Sequence, residues 1–154
     1  WGIKCLERAI EGLKCETAVH ICYGYGIKAN TDWKQTLGNE WRQYEEVFPK
    51  LQKSNIDIIS LECHNSRVPI ELLALIRGKK VMVGAIDVAS NEIETPDEVA
   101  QTLREALKYV DADKLYPCTN CGMAPLPRQI ASAKLNALSK GAEIVRGEIL
   151  AARI

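Results

Sequence analysis

The sequence carries no excess charge: 20 Lys and Arg residues balance 20 Asp and Glu residues. An electrostatic nucleic-acid or membrane-surface binder needs a surplus of cations, so neither kind of partner is expected. Long apolar runs are also missing. The longest, such as Val81–Ile86, fall far short of the roughly 20 residues that span a bilayer. No secretory signal precedes the first expected element, and no low-complexity segment interrupts the chain. No GxGxxG or P-loop stretch is present, which weakens a nucleotide-binding reading.

What is present suits one domain, residues 1–154, long enough to bury a sizeable core. The first residue is Trp1 rather than Met, so a fragment or a processed product is expected. Six cysteines raise the possibility of disulfides. Their placement argues against it. Cys22 and Cys63 end apolar strand-like runs, and Cys118 and Cys121 form a CxxC. A cytoplasmic protein with reduced thiols is expected.

The pattern alternates between strands and helices. A helix ends near Cys5–Leu13. Strands are predicted over Thr17–Tyr23, Asp57–Cys63, Lys80–Val88 and from Lys114 to Pro117, each rich in β-branched or apolar residues. Helical spacing covers Asn39–Ser54, with Trp41, Tyr44, Val47, Phe48 and Leu51 on one face. Pro69 opens a short helix that Gly78 ends. Thr95-Pro96-Asp97-Glu98 reads as a capping box starting a helix to about Val110. A last helix spans roughly Arg128–Ala152, with Gly141 as a candidate interruption. Four β-α units imply a parallel sheet. Two architectures compete: an open doubly wound sheet, and half of a (β/α)8 barrel.

Both architectures gather ligands at the carboxyl ends of their strands, and the reactive residues fall there. His20 and Cys22 are two apart on one strand and so share a face. Glu62 ends the next strand, and Cys121 follows the last one in CTNCG. Thiolate, imidazole and carboxylate are all zinc ligands, usually in a tetrahedral set. The carboxylate is the weak member and can yield to a substrate sulfur, which loses its proton on the metal. Cys118 is the alternative to Cys121. Cys121 is preferred because Gly122 follows it and lets the loop swing inward. Cys63 should point to the opposite face and pack, and His64 reads as a surface loop residue. Asp87 ends the third strand as an acid, a substrate hydrogen-bond acceptor or a loop cap. Trp33, Trp41 and Tyr44 read as packing.

With these residues in place, the sequence resembles the C-terminal catalytic domain of the cobalamin-independent methionine synthases, in the uroporphyrinogen-decarboxylase-like barrel superfamily. The matching pieces are HICYG, DIISLEC, GAIDVAS and YPCTNCG, which span nearly the whole chain. The resemblance implies a (β/α)8 TIM barrel of which this chain is the second half, strands five to eight. It implies zinc on His20, Cys22, Glu62 and Cys121, with homocysteine bound through its sulfur and methylated from methyltetrahydrofolate to give methionine. Most residues for the amino and carboxylate groups of homocysteine would lie on the first half-barrel. The chain alone is therefore expected to have exposed sheet edges and to be inactive.

One position departs from the pattern. The folate-using members read Asp-Ile-His-Ser where this sequence has Asp87-Val88-Ala89-Ser90. The family's His is associated with protonating the folate amine, help typically worth about 10²–10⁴ in rate. Its absence leaves Asp87 acting through water, another donor, or a partner protein. It also leaves the methyl donor open between methyltetrahydrofolate and methylcobalamin. The alternatives to a methionine-forming enzyme are a corrinoid-linked thiol methyltransferase of the same superfamily and a non-catalytic structural zinc domain.

Overall fold

The structure is a computed structural model and describes residues 1–152, so the last two positions of the expected 1–154 unit lie outside it. Four short strands form one sheet: β1 (Ala18–Ile21), β2 (Ile58–Glu62), β3 (Lys80–Gly84) and β4 (Leu115–Cys118). All neighbours pair in parallel, in the order β1-β2-β3-β4. A doubly wound sheet reverses its strand order at a switch point. This sheet never reverses, which is the order of a barrel wall.

The two faces of the sheet differ sharply. Val19, Ile21, Ile59, Leu61, Val81 and Val83 join the helices in the hydrophobic core. The other face carries His20, Ser60, Met82 and Tyr116 side by side in register. Tyr116 there is 41% exposed. A fully formed (β/α)8 barrel fills that inner face with side chains. Here it is only partly covered, with His20 and Tyr116 exposed, Met82 half-buried and Ser60 buried, and among the described strands β1 and β4 each pair on one side only. The chain thus has the form of half a barrel: four parallel strands with helices on the outer face.

Six helical segments connect or flank the strands: α1 (Gly2–Ile10), α2 (Lys28–Gln35), α3 (Tyr44–Gln52), a 3₁₀ segment (Ile70–Ile76), α4 (Pro96–Ala106) and α5 (Arg128–Ala151). The capping box of α4 forms as the sequence suggests: Thr95 Oγ1 accepts from the Glu98 N–H, and Glu98 accepts from the Thr95 N–H.

Three expectations change. The helix expected over Asn39–Ser54 begins only at Tyr44. Gly38 turns the chain at φ 78°, and the Trp41 N–H is drawn to the Arg67 carbonyl at 2.8 Å, outside any helix. A helix the periodicity did not reveal, α2, precedes it; its sequence KANTDWKQ contributes no buried residue. Finally, Gly141 does not interrupt α5, which runs unbroken through it. It sits where α5 touches α4, and a Cβ added there would lie 2.5 Å from the Val99 side chain.

Candidate metal centre

His20, Cys22 and Cys121 present ligand atoms that all lie within 4.8 Å of one another. Strand β1 ends at Ile21, so His20 is its penultimate residue and Cys22 follows immediately. Cys121 arrives from the loop three residues after β4. The Sγ atoms of Cys22 and Cys121 are 3.5 Å apart. Two thiolates on one tetrahedral zinc at about 2.3 Å each stand roughly 3.8 Å apart. The donor set and its spacing therefore suit zinc with little adjustment.

The Cys121 loop is fixed from below. Asn120 is fully buried. Its N–H donates to the Ile86 carbonyl at 2.9 Å. Its side chain accepts from the Cys63 N–H at 3.2 Å and donates to the His64 carbonyl at 2.7 Å. Gly84 makes room for it: a Cβ there would meet Asn120 Oδ1 at 2.5 Å and the Leu61 carbonyl at 2.7 Å. The loop that carries Cys121 is thus locked across the ends of β2 and β3.

His20 is oriented by Ser60, its partner in the β1–β2 register, at 2.9 Å from Nδ1 to Oγ. A proton on Nδ1 donated to that hydroxyl leaves the Nε2 lone pair free for a metal. Ser60 was not singled out from the sequence. The available signal was a lone hydroxyl two residues before Glu62 on an otherwise apolar strand, hence on the same face.

Glu62 stands apart from the three-residue group. It is 1% exposed, and both oxygens are taken: Oε1 accepts from the Tyr23 N–H at 2.7 Å and Oε2 from the Tyr25 hydroxyl at 2.5 Å. Burial, followed by the bond to Glu62, holds the Tyr25 hydroxyl well above its ordinary pKa. The Cys22 thiol is pushed up to about 11, chiefly by burial, with Cys121 and Glu62 adding to the shift. Without a cation the pocket keeps that sulfur protonated at neutral pH.

The remaining residues fall as follows. Cys118 lies 3.9 Å from Ser60 Oγ, outside the three-ligand group, and burial pushes its thiol up to about 11. Cys63 packs against the core on the opposite face. His64 contacts Thr102 at 3.2 Å, away from the centre. Trp33 stacks on Tyr23, Trp41 and Tyr44 pack against it at a tilt, and Phe48 stacks on Tyr44 beyond. All six cysteines are free. The Asp87 carboxylate caps its own loop, accepting from the Ala89 N–H at 2.8 Å. The peptide of Asp87 is gripped at both ends, its N–H by Glu94 and its carbonyl by Lys134, each at 2.9 Å.

Residues 27–143 match the family described as the catalytic domain of cobalamin-independent synthases. The chain belongs to that family. Curated relatives include the methionine synthases of Sulfurisphaera tokodaii, 33% identical over 97% of this chain, and of Saccharolobus islandicus, 32% identical over 97%. The chain spans 39% and 40% of those two proteins. Among solved structures, a B12-independent methionine synthase from Shewanella sp. W3-18-1, in complex with selenomethionine, is 84% identical over 98% of this chain and 44% of its own, with a TM-score of 0.94. A putative vitamin-B12-independent methionine synthase from Listeria monocytogenes, 20% identical with a TM-score of 0.62, shares the fold. Among the described residues no helix is long and apolar enough to cross a membrane.

Proposed function

We propose that this chain is the C-terminal half of a cytoplasmic, zinc-dependent methyltransferase barrel that converts homocysteine to methionine. The convergence of His20, Cys22 and Cys121 at the carboxyl ends of the strands carries the reading. Membership of the cobalamin-independent synthase family supports it.

When bound, zinc supplies the positive charge that strips the proton from a ligated thiol and keeps it nucleophilic at neutral pH. His20, Cys22 and Cys121 would hold the metal, with Ser60 fixing the His20 ring. Glu62 would be the fourth, exchangeable ligand. Held by Tyr23 and Tyr25 it stands apart from the other three, and in that position it would leave a coordination place to a substrate sulfur. A closed structural zinc site has no such position, which favours a catalytic centre.

The methyl donor is methyltetrahydrofolate or methylcobalamin. Ala89, exposed on the rim, has no proton to give a folate amine. Asp87 stands in the same loop, half-buried, and its charge reaches Tyr25 beside Glu62. We place it at the substrate side of the centre. The open inner face of the sheet fits a missing N-terminal half-barrel, or a partner protein, that completes the amino-acid pocket.

The test uses the intact protein loaded with zinc, assayed for methyl transfer to homocysteine from methyltetrahydrofolate and from methylcobalamin separately. Methionine from either donor is expected; none from both would overturn the reading. Cys121→Ser should lose stoichiometric zinc, whereas Cys118→Ser should keep it.

A further inference from the structure

Tyr25 lies outside the hydrophobic core, yet its hydroxyl meets a buried carboxylate at 2.5 Å. The contact is built from several directions. Tyr25 follows the Gly24 turn, at φ 79°. The Lys34 ammonium lies 4.5 Å above its ring and donates to the Gly24 carbonyl at 2.7 Å. The hydroxyl also lies beside the Asn120 side chain, from the loop that carries Cys121. Helix α2, β2 and the Cys121 loop all converge on this one phenol.

We propose that Tyr25, with the Tyr23 N–H, is the second station of Glu62: the place the carboxylate occupies when it is off the metal. This rests on the zinc reading above and deepens it. A buried carboxylate without donors is strongly disfavoured. If Glu62 left the metal into an empty pocket, a substrate thiol would have to displace it against that penalty. Two donors already in place remove the penalty. Glu62 then moves between the metal and the two donors, the Tyr23 amide and the Tyr25 hydroxyl, while the thiol sulfur takes its position and the thiol proton leaves to solvent. Tyr25 is thus a positioning residue that sets how readily substrate enters.

The experiment titrates homocysteine into the intact protein and reads the metal's sulfur count by zinc-edge X-ray absorption, without methyl donor. The unaltered protein should pass from two sulfurs to three. Tyr25→Phe should hold zinc at least as tightly, having lost a competitor for Glu62. It should need about tenfold more homocysteine for half-conversion, the scale of one hydrogen bond to a charged group. 3-Fluorotyrosine placed at position 25, a stronger donor of nearly the same shape, should need less homocysteine and guards against a folding defect in the Phe variant. A merely structural role would lower zinc affinity and leave the midpoint unshifted. An unchanged or lowered midpoint in Tyr25→Phe, or an unchanged midpoint with fluorotyrosine, would overturn the proposal while leaving the zinc reading intact. Zinc without two sulfurs in the unaltered protein would remove that reading, and this proposal with it.

Discussion

Lys134 donates to both oxygens of Glu94, at 2.9 and 3.0 Å, where the two side chains are 0% and 5% exposed. Its third proton goes to the Asp87 carbonyl, and Glu94 takes the Asp87 N–H. A buried ion pair thus clamps the loop that closes β3. Removing one partner leaves an uncompensated buried charge, which costs about 3–5 kcal/mol. Lys134→Met should lower unfolding free energy by about that amount in urea denaturation. Adding Glu94→Leu should cost less than the sum of the single changes, because the orphaned carboxylate goes with it.

Ser60 Oγ engages Nδ1 of His20 and so leaves Nε2 as the free nitrogen. Groups that orient a metal-ligating histidine typically contribute about 10–100-fold to metal affinity. Ser60→Ala should therefore weaken zinc binding by about tenfold or more, measured by competition with a chelator of known affinity. Ser60→Thr keeps the hydroxyl and should recover most of the loss. Equal losses in both variants would point to packing rather than to the hydrogen bond.

How much of this was legible in the sequence depends on what each element buries. The strands announce themselves, because Ile58–Leu61 and Val81–Val83 are apolar runs with helices on one side. Helix α2 does not, because nothing in it is buried and no apolar stripe results. The false start at Asn39 has the opposite cause. Trp41 belongs to the core, but through a loop whose N–H pairs with Arg67, so its helical spacing to Tyr44 is incidental. At the site, the grouping of His20, Cys22 and Cys121 follows from strand ends and period-two alternation. Ser60 and Tyr25 do not, because they depend on cross-strand register and on the shape of the Gly24 turn.

Gly141 is the clearest case of packing set against propensity. In an exposed helix, Gly→Ala gains up to about 1 kcal/mol. Here the new methyl would lie 2.5 Å from two Val99 carbons and 2.8 Å from the Pro96 carbonyl. Overpacking of this kind costs about 1–3 kcal/mol. Gly141→Ala should therefore destabilise by about 1–2 kcal/mol net, and combining it with Val99→Ala should recover much of the loss. A rise in thermal midpoint for the single variant would mean that α5 shifts away from α4 freely.

The Cys22 thiol, raised to about 11, gives the centre a pH dependence of definite sign. Metal binding requires the thiolate, so the proton must leave on binding and zinc affinity must rise with pH. Below pH 11 the Cys22 proton alone contributes about tenfold per pH unit. Chelator competition in the neutral range, from about pH 6 to about pH 8, should give a slope of at least that size, and zinc added to weakly buffered protein should release protons. The metal-free protein carries the opposite dependence. A neutral thiol whose folded pKa lies above its unfolded value of 9.0 contributes stability that is fully present below pH 9 and lost as pH rises toward 11. Zinc should abolish that loss, because the sulfur is then a thiolate at every pH in the window. A metal-free protein whose unfolding midpoint stayed flat from about pH 8 to about pH 11 would show that burial does not hold the Cys22 proton.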